Sequence, residues 1–112
     1  LVKLGLLDGD PEELHKSGAY KEFYMHKIGH WLGLDVHDAG DYLEGEEYMK
    51  FKPGMITTIE PGIYISSSMD IDDKWKGIGI RIEDDILVTK DGNENLTKKV
   101  PSNPEEIESL MS

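Results

Sequence analysis

The sequence predicts an α+β fold, mostly antiparallel sheet with short flanking helices. Three observations predict it. Residues 77–83 alternate cleanly, with Ile78, Ile80 and Ile82 on one face and Gly79, Arg81 and Glu83 on the other. A second strand-like run, residues 85–89, leads to Asp91-Gly92, a hairpin-turn signal. Two helix starts are also spelled out. Asp10-Pro11 and Asn103-Pro104 each pair a capping side chain with a proline in the first helical position, and each is followed by glutamates placed for a capping box.

In chain order, Leu1, Leu4 and the Leu6-Leu7 pair have the spacing of an apolar helical stripe, too short to stand alone. The absence of an initiator methionine before this stripe reads as a chain cut from inside a helix, so a fragment is expected. A helix follows at residues 11–17, with Glu13 completing the box at Asp10 and Gly18 as the stop. Residues 23–38 are dense in aromatic, histidine and glycine residues, which predicts turns and a short helical piece. Residues 40–54 are polar and close on Lys52-Pro53-Gly54, a turn signal. Strands are expected at 55–59 and 63–65, separated by Glu60-Pro61-Gly62. A Ser- and Asp-rich loop at 66–76 precedes the two strands already described. Ile107, Leu110 and Met111 give the final helix an apolar docking face.

Composition bounds the function. The chain has 112 residues, enough for one small domain, and 23 acidic against 12 basic side chains give a net charge of −11. Nucleic acid and anionic membranes call for a basic surface, so neither is an expected partner. Without cysteine there is no disulfide, thiolate metal site or cysteine nucleophile. No apolar run approaches a membrane span and no export signal is visible, so a cytoplasmic location is expected.

Three features could carry chemistry. His26, His30 and His37 fall within twelve residues. A lone histidine is more often structural, but three together point towards metal binding, for which neutral imidazole is the commonest ligand. His26 and His30 share a face if their segment is helical. The HExxH zinc-protease signature is excluded, because Lys27 stands where the glutamate base belongs. Glu60, at the end of an apolar strand and held by Pro61, is either solvated at the sheet rim or aimed into a site. Glu83 shares its strand face with Arg81. That pair is an ordinary surface ion pair if the face is open, whereas a covered glutamate there needs a cation.

Taken in order, His26-Lys-Ile-Gly-His30-Trp-Leu-Gly-Leu-Asp-Val-His37, Pro53-Gly-Met-Ile-Thr-Thr-Ile-Glu60-Pro-Gly and Gly79-Ile-Arg81-Ile-Glu83-Asp-Asp85 resemble the pita-bread metallopeptidases. That group includes methionine aminopeptidase, prolidase and aminopeptidase P. The likeness is strongest to the aminopeptidase P (Xaa-Pro aminopeptidase) branch and covers essentially the whole chain. It implies that residues 1–112 are the C-terminal half of a catalytic domain with a partial pita-bread fold, the upstream half being absent.

Residue by residue, the resemblance implies that His30, Glu60 and Glu83 are metal ligands. Glu60 also handles protons, and Glu83 bridges two ions. His26 and His37 match histidines that contact substrate, and Arg81 matches an arginine that orients ligands. The implied cofactors are two divalent metal ions, expected to be Mn2+ because carboxylates and one imidazole form a hard donor set. The implied substrates are peptides with proline in the second position. Two such ions generate hydroxide at neutral pH for attack on the bond before proline, with Glu60 returning the proton to the prolyl nitrogen. The family's two aspartate ligands have no match here, so the isolated chain is expected to be inactive, and its uncovered edges to favour self-association. Prolidase and a non-catalytic peptide-binding module of the same fold are the alternatives.

Overall fold

A computed structural model describes all of residues 1–112. Along the chain run α1 (Pro11–Ser17), β1 (Leu43–Glu44), β2 (Glu47–Tyr48), β3 (Ile56–Ile59), β4 (Gly62–Tyr64), β5 (Gly79–Arg81), β6 (Asp84–Val88), β7 (Asn93–Asn95) and α2 (Pro104–Met111). They belong to two compact units, one formed by Leu1–His26 with Gly62–Arg81, the other by Lys27–Pro61 with Ile82–Ser112. Every strand pairing is antiparallel.

In the first unit α1 begins and ends where the sequence places it. The Asp10 carboxylate accepts from the N–H groups of Glu12 and Glu13 at 3.0 and 3.2 Å, a cap worth about 1 kcal/mol. Glu13 does not return the bond that would complete a capping box. Its carboxylate instead takes the Lys16 ammonium at 2.8 Å, a fully charged partner one turn along the exposed face. Gly18 ends the helix in the left-handed conformation at φ 78°. The leading leucines form a single 3-10 turn, Val2–Leu4, closed by Gly5 at φ 70°, not the end of a longer helix.

Leu6, Phe23 and Ile65 are the buried centre of this unit, with Leu7, Ile63, Trp75 and Ile78 packed around them. The β4–β5 pair puts Ile63 opposite Ile80. Tyr64 N–H also donates to the Phe23 carbonyl at 2.8 Å, which ties β4 to the N-terminal segment. Of the expected isoleucine face, Ile78 joins the core while Ile80 stays 59% exposed. In the preceding loop Asp72 caps a 3-10 turn, Asp73–Trp75. The backbone N–H of Lys74, and then its side chain, hold the Asp72 carboxyl below its ordinary value.

The second unit is built on β3. Its four residues, Ile56-Thr57-Thr58-Ile59, are all β-branched and suit a pleated strand. One edge pairs with β6, Ile56 opposite Leu87 and Ile59 opposite Asp84. The hairpin from β6 to β7 closes through Thr89 N–H to the Gly92 carbonyl at 3.0 Å, as the Asp-Gly signal predicts.

The other edge of β3 is taken by residues 28–32. Leu32 N–H donates to the Ile56 carbonyl, Thr58 N–H to His30, and Glu60 N–H to Ile28, at 3.1, 2.9 and 2.7 Å. The short helical piece expected in this region is therefore replaced by an extended segment, because the free ladder of β3 offers it a full set of partners. Gly29 makes the approach possible, since a Cβ there would fall on the Thr58 carbonyl oxygen. The polar stretch after it holds the small β1–β2 hairpin, turning at Gly45 with φ 69°.

The buried residues of this unit are polar: Thr57, Thr58 and Glu60. On α2, Asn103 caps as expected, but Leu110 and Met111 of the intended docking face are 70% and 82% exposed. No helix is long and apolar enough to cross a membrane.

Candidate metal centre

Four of the six site residues singled out by sequence lie in the second unit, and three of them converge. One ligand atom each from His30, Glu60 and Glu83 lies within 4.8 Å of the others. Glu60 follows the last residue of β3. Pro61 restricts it to an extended backbone, and its N–H is fixed on Ile28. Its side chain is consequently carried inward, and the residue is only 8% exposed. His30 arrives from the opposite edge of the same ladder. Glu83 lies between β5 and β6 and is exposed.

The hydrogen bonds of His30 fix its tautomer. Its Nδ1 is 3.1 Å from the Trp31 carbonyl oxygen. A carbonyl can only accept, so Nδ1 carries a proton, and a neutral ring then presents its lone pair at Nε2. That lone pair faces Glu60 Oε1 at 3.3 Å. Two electron-rich atoms so placed repel each other unless a cation or a proton lies between them. A histidine whose other nitrogen is held by a carbonyl is the usual arrangement of a metal ligand. Trp31 holds its place by stacking on Tyr42, 5.6 Å between ring centroids, and by donating Nε1–H to the Asp41 carbonyl at 3.1 Å. Gly40 leaves room for the indole, since a Cβ there would come within 2.6 Å of it.

His37 completes the second-unit group. Its ring stands edge-on to His30, with centroids 4.4 Å apart. His26 and Arg81 belong to the first unit. His26 Nε2 is 2.8 Å from the Tyr64 hydroxyl, and its ring lies 4.6 Å from that of Tyr24. Arg81 ends β5 opposite Gly62. The Trp31 carbonyl, Thr58 and Tyr64 were assigned no role in the sequence reading. Thr58 Oγ1 donates to Glu60 Oε1 at 3.0 Å. The run of two threonines immediately before Ile59-Glu60 was the available signal for it.

The donor set is one imidazole and two carboxylates, which fits a hard divalent cation. A model of metallopeptidase family M24 matches residues 2–90. The chain belongs to that family. Membership implies divalent metal ions and accords with the converging donors. This M24 chain is 54% identical over 112 residues to the Xaa-Pro aminopeptidase of Escherichia coli, covering 99% of itself and 25% of that relative. Against the Xaa-Pro aminopeptidase of Haemophilus influenzae the identity is 51%, with 100% and 26% covered. Among solved structures, aminopeptidase PepP of Pseudomonas aeruginosa superposes with a TM-score of 0.95 at 56% identity, covering 99% of this chain and 25% of that one. Aminopeptidase P from E. coli with the inhibitor Pro-Leu gives 0.90 at 53%, with the same coverage. The M24 chain thus spans about a quarter of the length of these relatives, and within that span its fold is the pita-bread fold expected from the resemblance.

Proposed function

We propose that this chain is the C-terminal half of the catalytic domain of an aminopeptidase that hydrolyses the N-terminal Xaa-Pro bond, and that it supplies His30, Glu60 and Glu83 to a centre of two Mn2+ ions. The observation that carries this reading is the convergence of those three ligand atoms within 4.8 Å. The fit is chemical as well as spatial: an imidazole with its lone pair fixed inward and two carboxylates suit a hard ion better than a thiophilic one. When bound, such ions bring the pKa of coordinated water towards neutrality and polarise a carbonyl.

The chain's own residues supply the rest. The Glu60 carboxylate accepts the proton of the attacking water and delivers it to the departing prolyl nitrogen. His26 and His37 contact the peptide, His37 from beside His30, and Arg81 orients ligands. The curated relatives named Xaa-Pro aminopeptidase support this reading over a dipeptidase acting on Xaa-Pro alone. The cytoplasm is the proposed location.

Two aspartate ligands must come from elsewhere, so the 112-residue chain by itself is expected to bind Mn2+ weakly and to hydrolyse no Xaa-Pro peptide. Weak binding is read by the paramagnetic broadening that Mn2+ causes in the NMR resonances of residues around the centre. Broadening centred on His30, Glu60 and Glu83, and reduced in both His30→Ala and Glu83→Gln, is the expected result. Equal broadening in all three proteins, or robust turnover by the pure chain, would overturn the reading.

Self-association of the isolated chain is part of the same proposal. An apolar groove of about 630 Å³, lined by Ile28, Trp31, Tyr42, Leu43, Met49 and Phe51, lies open in the second unit. A second copy is the expected occupant in a solution of the chain alone. Sedimentation is expected to show a concentration-dependent dimer or larger species. A monomer at high concentration would remove this part.

A further inference from the structure

We propose that Thr58 is a positioning residue whose hydroxyl sets the separation of His30 and Glu60, and so the affinity of the centre for a divalent cation. The inference rests on the metal reading above and adds to it a residue outside the ligand set.

Thr58 is 1% exposed, so water cannot stand in for its hydroxyl. That hydroxyl has one proton and two lone pairs, and its two contacts dictate how they are used. An ionised carboxylate only accepts, so the proton goes to Glu60 Oε1 at 3.0 Å. The His30 N–H then enters on a lone pair, also at 3.0 Å. The direction of both bonds is fixed: His30 N–H to Thr58 Oγ1–H to Glu60 Oε1.

The backbone ladder shows that this is a substitution of one acceptor for another. Residues 30 and 58 face each other across the two strands, and Thr58 N–H donates to the His30 carbonyl at 2.9 Å. In an ordinary hydrogen-bonded antiparallel pair the reciprocal bond runs between main-chain groups. Here the His30 N–H goes to the side-chain hydroxyl of Thr58, which couples the position of the histidine to the rotation of the glutamate. Thr57 grips the other end of the same residue, donating Oγ1–H to the His30 carbonyl at 3.0 Å. A β-branched side chain has few χ1 choices, so the hydroxyl is a stiff spacer. Its two clients end in Nε2 and Oε1, 3.3 Å apart.

The test is an Mn2+ titration of the 112-residue chain followed by paramagnetic broadening, with Thr58→Val, Thr58→Ser and His30→Ala compared with the parent chain. Valine keeps the shape and removes the hydroxyl, while serine keeps the hydroxyl and removes a methyl. Loss of a hydrogen bond that orients a metal ligand typically costs 10–100-fold in affinity, so Thr58→Val is expected to need at least about tenfold more Mn2+ for the same broadening. Thr58→Ser is expected to titrate within about threefold of the parent, on the same principle, since the hydroxyl is retained.

Parent-like titration by Thr58→Val, with His30→Ala weakened, overturns the proposal and leaves the metal centre standing. Unchanged titration by His30→Ala overturns the metal centre and the proposal with it. Should Thr58→Val not fold, serine decides: weakening tenfold or more in Thr58→Ser means that the methyl matters and overturns the role of the hydroxyl.

Discussion

In the assembled peptidase, Glu60→Gln is expected to lower kcat/KM on an Xaa-Pro peptide by at least about 10³-fold, within the range for loss of a general acid–base group. Glutamine keeps the volume of the side chain and an oxygen that can accept from Thr58, so the local packing survives. It removes the carboxylate that faces His30 Nε2 at 3.3 Å, and with it the proposed cation ligand and the proposed proton carrier. The loss should fall mainly on kcat if, as proposed, His26 and His37 hold the peptide and Glu60 moves the proton. Steady-state kinetics on a tripeptide with proline second provide the check. A variant within tenfold of the parent would take proton transfer away from Glu60.

The largest structural effect is expected at a residue with no side chain. Gly29→Val places a Cβ where the Thr58 carbonyl oxygen already is, and the neighbour it meets is backbone, which cannot swing aside. Residues 28–32 must then move off the edge of β3. The bonds from Leu32, Thr58 and Glu60 across that edge loosen together. Overpacking a tight contact costs about 1–3 kcal/mol, and the lost ladder bonds add to it. In urea denaturation the midpoint should fall accordingly, or the second unit should lose its dispersed NMR signals outright. The same variant should bind Mn2+ no better than His30→Ala, because His30 rides on the displaced segment. Parent-like stability in Gly29→Val would mean that residues 28–32 do not pair with β3 in solution.

The parts of this molecule legible in the sequence are those written locally. Asp10-Pro11 and Asn103-Pro104 announce α1 and α2, and the β-branched run before Glu60 announces β3. The resemblance carried His30, Glu60 and Glu83 as a set, and the structure brings their ligand atoms together. What escaped depends on partners distant in the chain. Residues 28–32 look like a turn because of Gly29 and the adjoining Gly33, and they become extended only when the edge of β3, some thirty residues on, supplies hydrogen bonds. Thr58 lies inside one of the motifs but carries no ligand group, and its role arises from being buried between two other residues. The β1–β2 hairpin escaped because its strands are two residues long and exposed, so they carry no apolar alternation to read. The isoleucine alternation of residues 78–82 was real as a pattern, but it did not reveal that Ile80 lies outside the core.

The order in which these strands leave the ribosome gives the interleaved units a consequence of their own. Each unit is assembled from two separate stretches, and residues 62–81 of one interrupt the other. Asp84, the first residue of β6, follows Ile59, the last of β3, by 25 residues (84 − 59), which at about 5–20 residues per second is a delay of about 1–5 s. During that interval β3 can take up residues 28–32 on one edge, while its second edge waits for β6 to be made. An open strand edge on a nascent chain invites the wrong neighbour. Translation speed through residues 62–88 is therefore expected to govern how much of this protein reaches its native pairing.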